Sequence, residues 1–313
     1  MTKYIIIALC IAAFIYTALM IVSGYRRTKK FFGGKVTANY HTHTTFCDGK
    51  NSPEEYVQKA IDSGMTVLGF SAHSHLPTEP EWTLSEEGEE EYRKTILELK
   101  EKYKDRIDIR LGIEQDYWSD TSDLKAYDYV IGAVHSVNGE DTTWSSIDYT
   151  HENFLYGVEH YFNNDRIAAA ERYFELVSDL YDKMKCDIIA HFDLITIFNE
   201  KEIEETGKPF VDSEDPRFIA AERKALERLA KTPVIFEINT GGMSRGRMTH
   251  PYPSDRVLEF LGECQIPVIL SSDAHKTEDL TYGFDEVLKL VEKYNLNLIT
   301  DYKDVRNRQE ESK

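Results

Sequence analysis

From residue 36 onward the chain alternates between two hydrophobic periods. Short runs rich in Val and Ile, at 36–41, 67–71, 107–113, 129–134, 187–190, 234–238 and 268–271, have the length and β-branched content of buried strands. Between them lie longer stretches in which apolar residues recur every three or four positions. A first helix is expected to open at Pro53 and stop before Gly64, because Ser52 can cap it and Glu55 can complete a capping box. Further helices are expected over 86–104, 165–185, 217–231, 254–263 and 284–294. Seven strands separated by helical crossovers predict a parallel sheet, closed or nearly closed into an α/β barrel.

The pattern before residue 36 is different. Residues 4–25 carry no charge, long enough for one membrane-spanning helix. Arg26, Arg27, Lys29 and Lys30 follow it, against only Lys3 in front, which predicts a single-pass anchor in the cell membrane with the downstream domain in the cytoplasm. A cleaved signal peptide fits less well, since no A-x-A-like site follows; a later translation start would leave a cytoplasmic protein. The expected division is therefore a membrane segment with a basic linker over 1–35 and one folded domain over 36–313.

Composition narrows the partners. A net charge of -18 opposes sustained contact with nucleic acid, whose affinity rests on neutralising phosphates. Cys10, Cys47, Cys186 and Cys264 form no CxxC pair, so neither a zinc knuckle nor a disulfide framework is indicated. No pattern sets an oligomeric state.

Metal-type residues fall at one phase of the strand pattern. His41 and His43 follow the first strand, His73 the second, Glu114 ends the third, His135 and His191 follow the fourth and fifth, and Asp273 and His275 follow the last. Any one of them alone reads as a capped or solvated residue, and a lone Glu114 as a surface ion-pair partner. Six of ten histidines at the carboxyl ends of strands read otherwise, because in a barrel those ends share one rim. Imidazoles mixed with carboxylates suit Zn, Mn or Fe, and a carboxylate such as Glu114 can bridge two cations. Two to three divalent ions are expected; such a cluster activates water at neutral pH and clamps phosphoryl oxygens.

Four segments together carry a resemblance: Tyr40-His41-Thr42-His43-Thr44-Thr45-Phe46-Cys47-Asp48-Gly49, Gly69-Phe70-Ser71-Ala72-His73-Ser74, Gly132-Ala133-Val134-His135-Ser136-Val137 and Ser272-Asp273-Ala274-His275. In order and spacing they resemble the polymerase and histidinol phosphatase (PHP) family, especially its histidinol-phosphatase branch. The resemblance implies a distorted seven-stranded β/α barrel, a metal-dependent phosphomonoesterase and L-histidinol phosphate as substrate. Another small phosphate ester, such as a nucleotide or sugar phosphate, is the alternative; a membrane-tethered binding or regulatory protein with an inactive site is a third. It further implies one metal on His41, His43, Glu114 and Asp273, a second on Glu114, His135 and His191, and a third on Asp48, His73 and His275. Arg245, in the basic Gly-rich loop after the strand at 234–238, would hold the phosphate, with Arg247 in reserve. Asp273 or His275 would protonate the leaving group or orient it. The stretch 146–174 resembles an insertion that covers the site, and His75 is a candidate substrate contact. Relatives often carry an acidic residue where this chain has Ala72, so a proton donor at that position is missing here.

Overall fold

The computed structural model describes residues 36–76, 81–137 and 146–303. All the elements below lie in one compact unit that begins at Ala38. Its strands are β1 (Ala38–Asn39), β2 (Val67–His73), β3 (Asp108–Asp116), β4 (Tyr129–Ala133), β5 (Ile188–Ile189), β6 (Ile235–Asn239), β7 (Pro267–Ser271) and β8 (Asn297–Leu298). They pair in sequence order and all in parallel. Parallel neighbours need a crossover, and helices supply most of them: α1 (Pro53–Asp62), α2 (Glu86–Lys102), α3 (His151–Tyr161), α4 (Arg166–Met184), α5 (Asn199–Thr206), α6 (Pro216–Leu229), α7 (Gly241–Ser244), α8 (Asp255–Glu263) and α9 (Phe284–Lys293). The first helix starts as its sequence dictates: Ser52 Oγ accepts from Glu55 N, and Glu55 Oε2 accepts from Ser52 N at 2.7 Å.

Two expectations are corrected. The sheet is an eight-stranded parallel half-barrel rather than a seven-stranded barrel. Its eighth strand pairs with the first half of β7, Pro267 to Asn297 and Val268 to Leu298. Only the far end of β7 turns back toward β1, through an isolated parallel bridge between Thr42 and Ala274. His43 N donates to Ala274 O at 2.9 Å and Ala274 N to His41 O at 3.3 Å. The second correction is the N-terminal membrane helix, which has no support in the structure. Residues 4–25 lie outside the described residues, and among the described residues no helix is long and apolar enough to cross a membrane.

The inside of the curled sheet is layered. At the amino ends of the strands it is filled by Tyr40, Tyr129, Ile131, Ile188, Ile235, Ile269 and Tyr302. Tyr129 lies over Gly112, where a Cβ would come within 2.2 Å of its ring, and its hydroxyl donates to Phe70 O at 3.0 Å. This apolar, hydrogen-bonded layer closes the interior from below, so the polar side chains at the carboxyl ends face a single opening.

Candidate metal centre

Glu114 is the hub of that polar layer. It projects inward near the end of β3 and is almost wholly buried. Its Oε2 lies 2.8 Å from His73 Nδ1, 3.2 Å from His41 Nε2 and 3.4 Å from His43 Nε2. Its Oε1 lies 3.0 Å from His191 Nε2 and 3.4 Å from His135 Nε2. Five imidazoles from four strand ends thus converge on one carboxylate. Asp273 adds a second, with Oδ1 3.2 Å from His43 Nε2 and 3.7 Å from His41 Nε2. Asp273 sits at φ 49°, a left-handed conformation that a non-glycine residue holds only when its surroundings fix it. Asp48 is the third, 3.1 Å from His275 Nε2 and 3.7 Å from His73 Nε2.

These contacts gather the nine expected metal-type residues at one place but group them differently from the sequence reading. Three sets have ligand-type atoms all within 4.8 Å of one another: His43, Asp48, His73 and His275; His41, His43 and Asp273; and His73, Glu114 and His135. His43 and His73 are each shared between sets, and His191 reaches the cluster through Glu114 alone. The donor chemistry fits divalent cations. His41 Nε2, His43 Nε2, Glu114 Oε2 and Asp48 Oδ1 are buried and make no hydrogen bond among the described residues. Buried polar atoms left so are costly, whereas cations held by these sets would use them.

The electrostatics agree. Burial opposes ionisation of Glu114, but the imidazoles of His41, His73 and His135 outweigh it and hold the carboxyl well below its usual range. Asp273 is likewise held down against burial by Arg245 and His41. Burial works against a charge on His41, yet Glu237, Glu114 and Asp273 raise its pKa well above normal. His135 is raised against burial by Glu114 and Asp116. His43, buried beside His73 and His275, is pushed down to about 3. The site is a pocket of fixed negative charge that draws in protons and suits divalent metal ions for the same reason. The Cys47 thiol, 3.6 Å from His43 Nδ1, is pushed up by burial to about 12 and stays protonated.

Two carboxylates with no role in the sequence reading hold imidazoles from behind. Glu237, in the middle of β6 and fully buried, places Oε1 2.7 Å from His41 Nδ1, and its Oε2 accepts from His191 N at 3.1 Å. Asp116, two residues beyond Glu114, places Oδ2 3.1 Å from His135 Nδ1. Because a carboxylate only accepts, each Nδ1 carries a proton, and a cation that displaced the second proton would meet a lone pair on Nε2. The charged residue inside the apolar run at 234–238 was the signal for Glu237. For Asp116 it was the shared strand face with Glu114.

A cavity of about 330 Å³ opens over the cluster. Besides the imidazoles it is lined by Trp82, Ser146, Asp148, Tyr149, Leu194, Ile197, Arg245 and Arg247. Trp82 stands edge-on to His73, with ring centroids 4.8 Å apart. Ser146, Asp148 and Tyr149 bring the segment after β4 to the cavity wall. Arg245, at the end of α7, donates from Nη2 to Asp273 Oδ2 at 3.0 Å and from Nη1 to Asp273 O at 3.2 Å. Gly241 makes room for this pair, since a Cβ there would lie 2.6 Å from Asp273 Oδ2 and 2.9 Å from Arg245 Nη2. Arg247 donates to the carbonyl of Asp148. His75 is not among the residues lining the cavity, and its Nδ1 lies 2.7 Å from Leu84 O. His151, His160 and His250 pair with Glu202, Tyr156 and Asp255 away from the site.

Comparison with known proteins agrees with this geometry. The family model described as the PHP domain matches residues 39–241. A Deinococcus radiodurans protein described as "Probable histidinol-phosphatase" is 27% identical over 259 residues, covering 80% of this chain and 90% of that one. The histidinol-phosphatase of Bacillus subtilis is 25% identical over 272 residues, covering 80% of this chain and 97% of the relative. Among solved structures, the histidinol phosphate phosphatase of Lactococcus lactis, determined with zinc, L-histidinol and phosphate, superposes with a TM-score of 0.61 at 20% identity, over 84% of this chain and 95% of that one. At that identity the likeness is one of fold.

Proposed function

Because the chain belongs to the PHP family, we propose that it is a metal-dependent histidinol-phosphatase, which hydrolyses L-histidinol phosphate to L-histidinol and phosphate. One observation carries this reading. Glu114, Asp273, Asp48 and six imidazoles meet on the floor of a cavity sized for a small molecule, with two arginines in its wall. The histidinol-phosphatase relatives, matched over most of their length, support the substrate.

His41, His43, Asp48, His73, Glu114, His135, His191, Asp273 and His275 would hold two to three ions of Zn, Mn or Fe. Bound there, divalent cations supply Lewis acidity to the phosphoryl oxygens and activate water. The chain's own groups do the rest. Arg245 has more N–H donors than its bonds to Asp273 and His275 use, and its planar fork suits two phosphate oxygens. Pairing with Asp273 fixes that fork before substrate arrives, which lowers the ordering cost of binding. Asp273, kept ionised by Arg245, is a poor proton donor, and His275, counted among the ligands beside Asp48, orients the site from the cavity wall. Glu237 and Asp116 keep His41 and His135 in the tautomer that faces the metals. Trp82 and the segment around Asp148 narrow the opening and limit access of bulk water.

The test is phosphate release by metal-loaded protein from L-histidinol phosphate, nucleoside monophosphates and sugar phosphates. The expected result is a kcat/KM for histidinol phosphate well above that for the others. Faster hydrolysis of another ester, with histidinol phosphate barely touched, refutes the assignment.

A further inference from the structure

Four carboxylates line the cavity, and three of them, Asp48, Glu114 and Asp273, are engaged by imidazoles of the cluster. Asp148 is not. It lies in the segment between β4 and α3, half-buried, in a wall it shares with the apolar Leu194 and Ile197. Its Oδ1 accepts from Ser146 Oγ at 3.2 Å. Arg247, the nearest cation it bonds, donates to its backbone carbonyl and leaves the carboxylate alone. Among the described residues no Lys, Arg or His forms an ion pair with that carboxylate. A carboxylate in a cavity wall that no cationic side chain pairs is suited to a cation on the ligand. The Arg247 bond to the main chain fixes where Asp148 stands without neutralising it.

The position is as informative as the charge. Asp148 shares the cavity wall with Arg245, and Arg247 from the same loop donates to its carbonyl, so it stands near the end of the cavity where the phosphate is expected. A cation read there must sit close to the ester bond, not at the far tip of the substrate. Resting on the phosphatase reading above, we propose that Asp148 selects phosphate esters of amino alcohols whose ammonium sits on the carbon next to the ester carbon. L-histidinol phosphate belongs to this class. Its imidazole is largely neutral at pH 7 and its ammonium is charged, so the ammonium is the group a carboxylate distinguishes. Nucleotides and simple sugar phosphates offer only hydroxyls or a ring oxygen there, and no cation.

The experiment compares L-histidinol phosphate with the otherwise identical ester lacking the amino group, both with the full metal-loaded chain. Wild type is expected to prefer the amine-bearing ester by roughly 10- to 100-fold in kcat/KM, the range of one hydrogen bond to a charged group. In Asp148→Asn that preference is expected to fall to within about threefold, with metal content matching wild type, and Asp148→Glu is expected to retain part of it. Equal hydrolysis of the two esters by wild type overturns the proposal while leaving the phosphatase reading intact. So does an equal loss on both esters in Asp148→Asn, which is what a structural role in the cavity wall produces. Hydrolysis of neither ester by wild type overturns the phosphatase reading and this proposal with it.

Discussion

Replacing Glu237 with Gln tests whether the cluster depends on the groups behind it. Glu237 accepts at both oxygens: Oε1 lies 2.7 Å from His41 Nδ1, and Oε2 takes His191 N at 3.1 Å and Asn239 Nδ2 at 2.9 Å. Gln has one acceptor oxygen and one NH2 group, so it has two ways to sit. If its oxygen faces His41, its NH2 opposes the donors His191 N and Asn239 Nδ2 in a fully buried site, at a cost of about 1–3 kcal/mol each. If its NH2 faces His41, every backbone and Asn239 bond survives, and a neutral His41 need only carry its proton on Nε2 instead of Nδ1. In the metal-free protein that proton lands 3.2 Å from Glu114 Oε2, an acceptor without a hydrogen bond. The second arrangement wins. At a pH high enough that wild-type His41 is neutral, metal-free Glu237→Gln should therefore unfold within a few degrees of wild type, while His41 Nε2 no longer offers a lone pair. A lost orienting partner costs about 10- to 100-fold in metal affinity, or about 1.4–2.8 kcal/mol. The assay is competition for zinc with a chromogenic chelator, beside thermal unfolding of the metal-free proteins. Wild-type zinc affinity in the variant, or a collapse of metal-free stability with affinity unchanged, refutes the reasoning, since either outcome makes Glu237 a core contact only.

Elemental analysis of protein purified without chelator should find two to three Zn, Mn or Fe ions per chain; none, with no activation by added metal, removes the metal mechanism. Arg245→Ala should raise KM and lower kcat/KM by about 2–4 kcal/mol of transition-state stabilisation with metal retained, and unaltered kinetics would take Arg245 off the phosphate. Gly241→Ala places a Cβ 2.6 Å from Asp273 Oδ2 and 2.9 Å from Asp273 Cβ, an atom fixed next to the backbone, so unfolding should come at a lower temperature and kcat/KM should fall about 10- to 100-fold. His41 and His135 have raised folded pKa values, so their contribution to metal-free stability is full below about pH 6.5 and is lost as pH rises through the folded values. The metal-free midpoint should accordingly fall as pH rises above 6.5, whereas metal-loaded protein, with protons displaced, should show no such fall.

The fold was legible where burial writes a period into the chain. The amphipathic α4 and the boxed start of α1 stand in the sequence nearly as they do in the structure. The short α5 buries none of its residues, so no apolar face announces it. β8 is two residues long, too short for any alternation, and its absence from the sequence reading is why the sheet was expected to have seven strands and to close. What opens the barrel is which partner takes the outer edge of β7. That is a competition between Asn297–Leu298 and the chain around Thr42, and neither segment records it alone.

The site shows the same limit at finer scale. His41 and His43 are spaced like His73 and His75, one residue between the two rings, yet only the first pair reaches the cluster together. In extended backbone, residues two apart point the same way. Around Thr42 the chain stays extended, because Thr42 bridges Ala274 and its amide donates to Ser71 Oγ, so both rings face Glu114. β2 instead ends at His73; Ser74 N turns to Glu114 O, and His75 is carried round to Leu84. The deciding bond in each case comes from another strand, more than 25 positions away in sequence. Ligand-type residues can thus be recognised from their spacing at strand ends, but whether a second one follows the first into the site depends on how far the neighbouring strand keeps the backbone straight. Glu237 and Asp116 obey the same rule. Each sits in the inward phase of its own strand, and each acquires a role only because an imidazole from a different strand comes within about 3 Å of it.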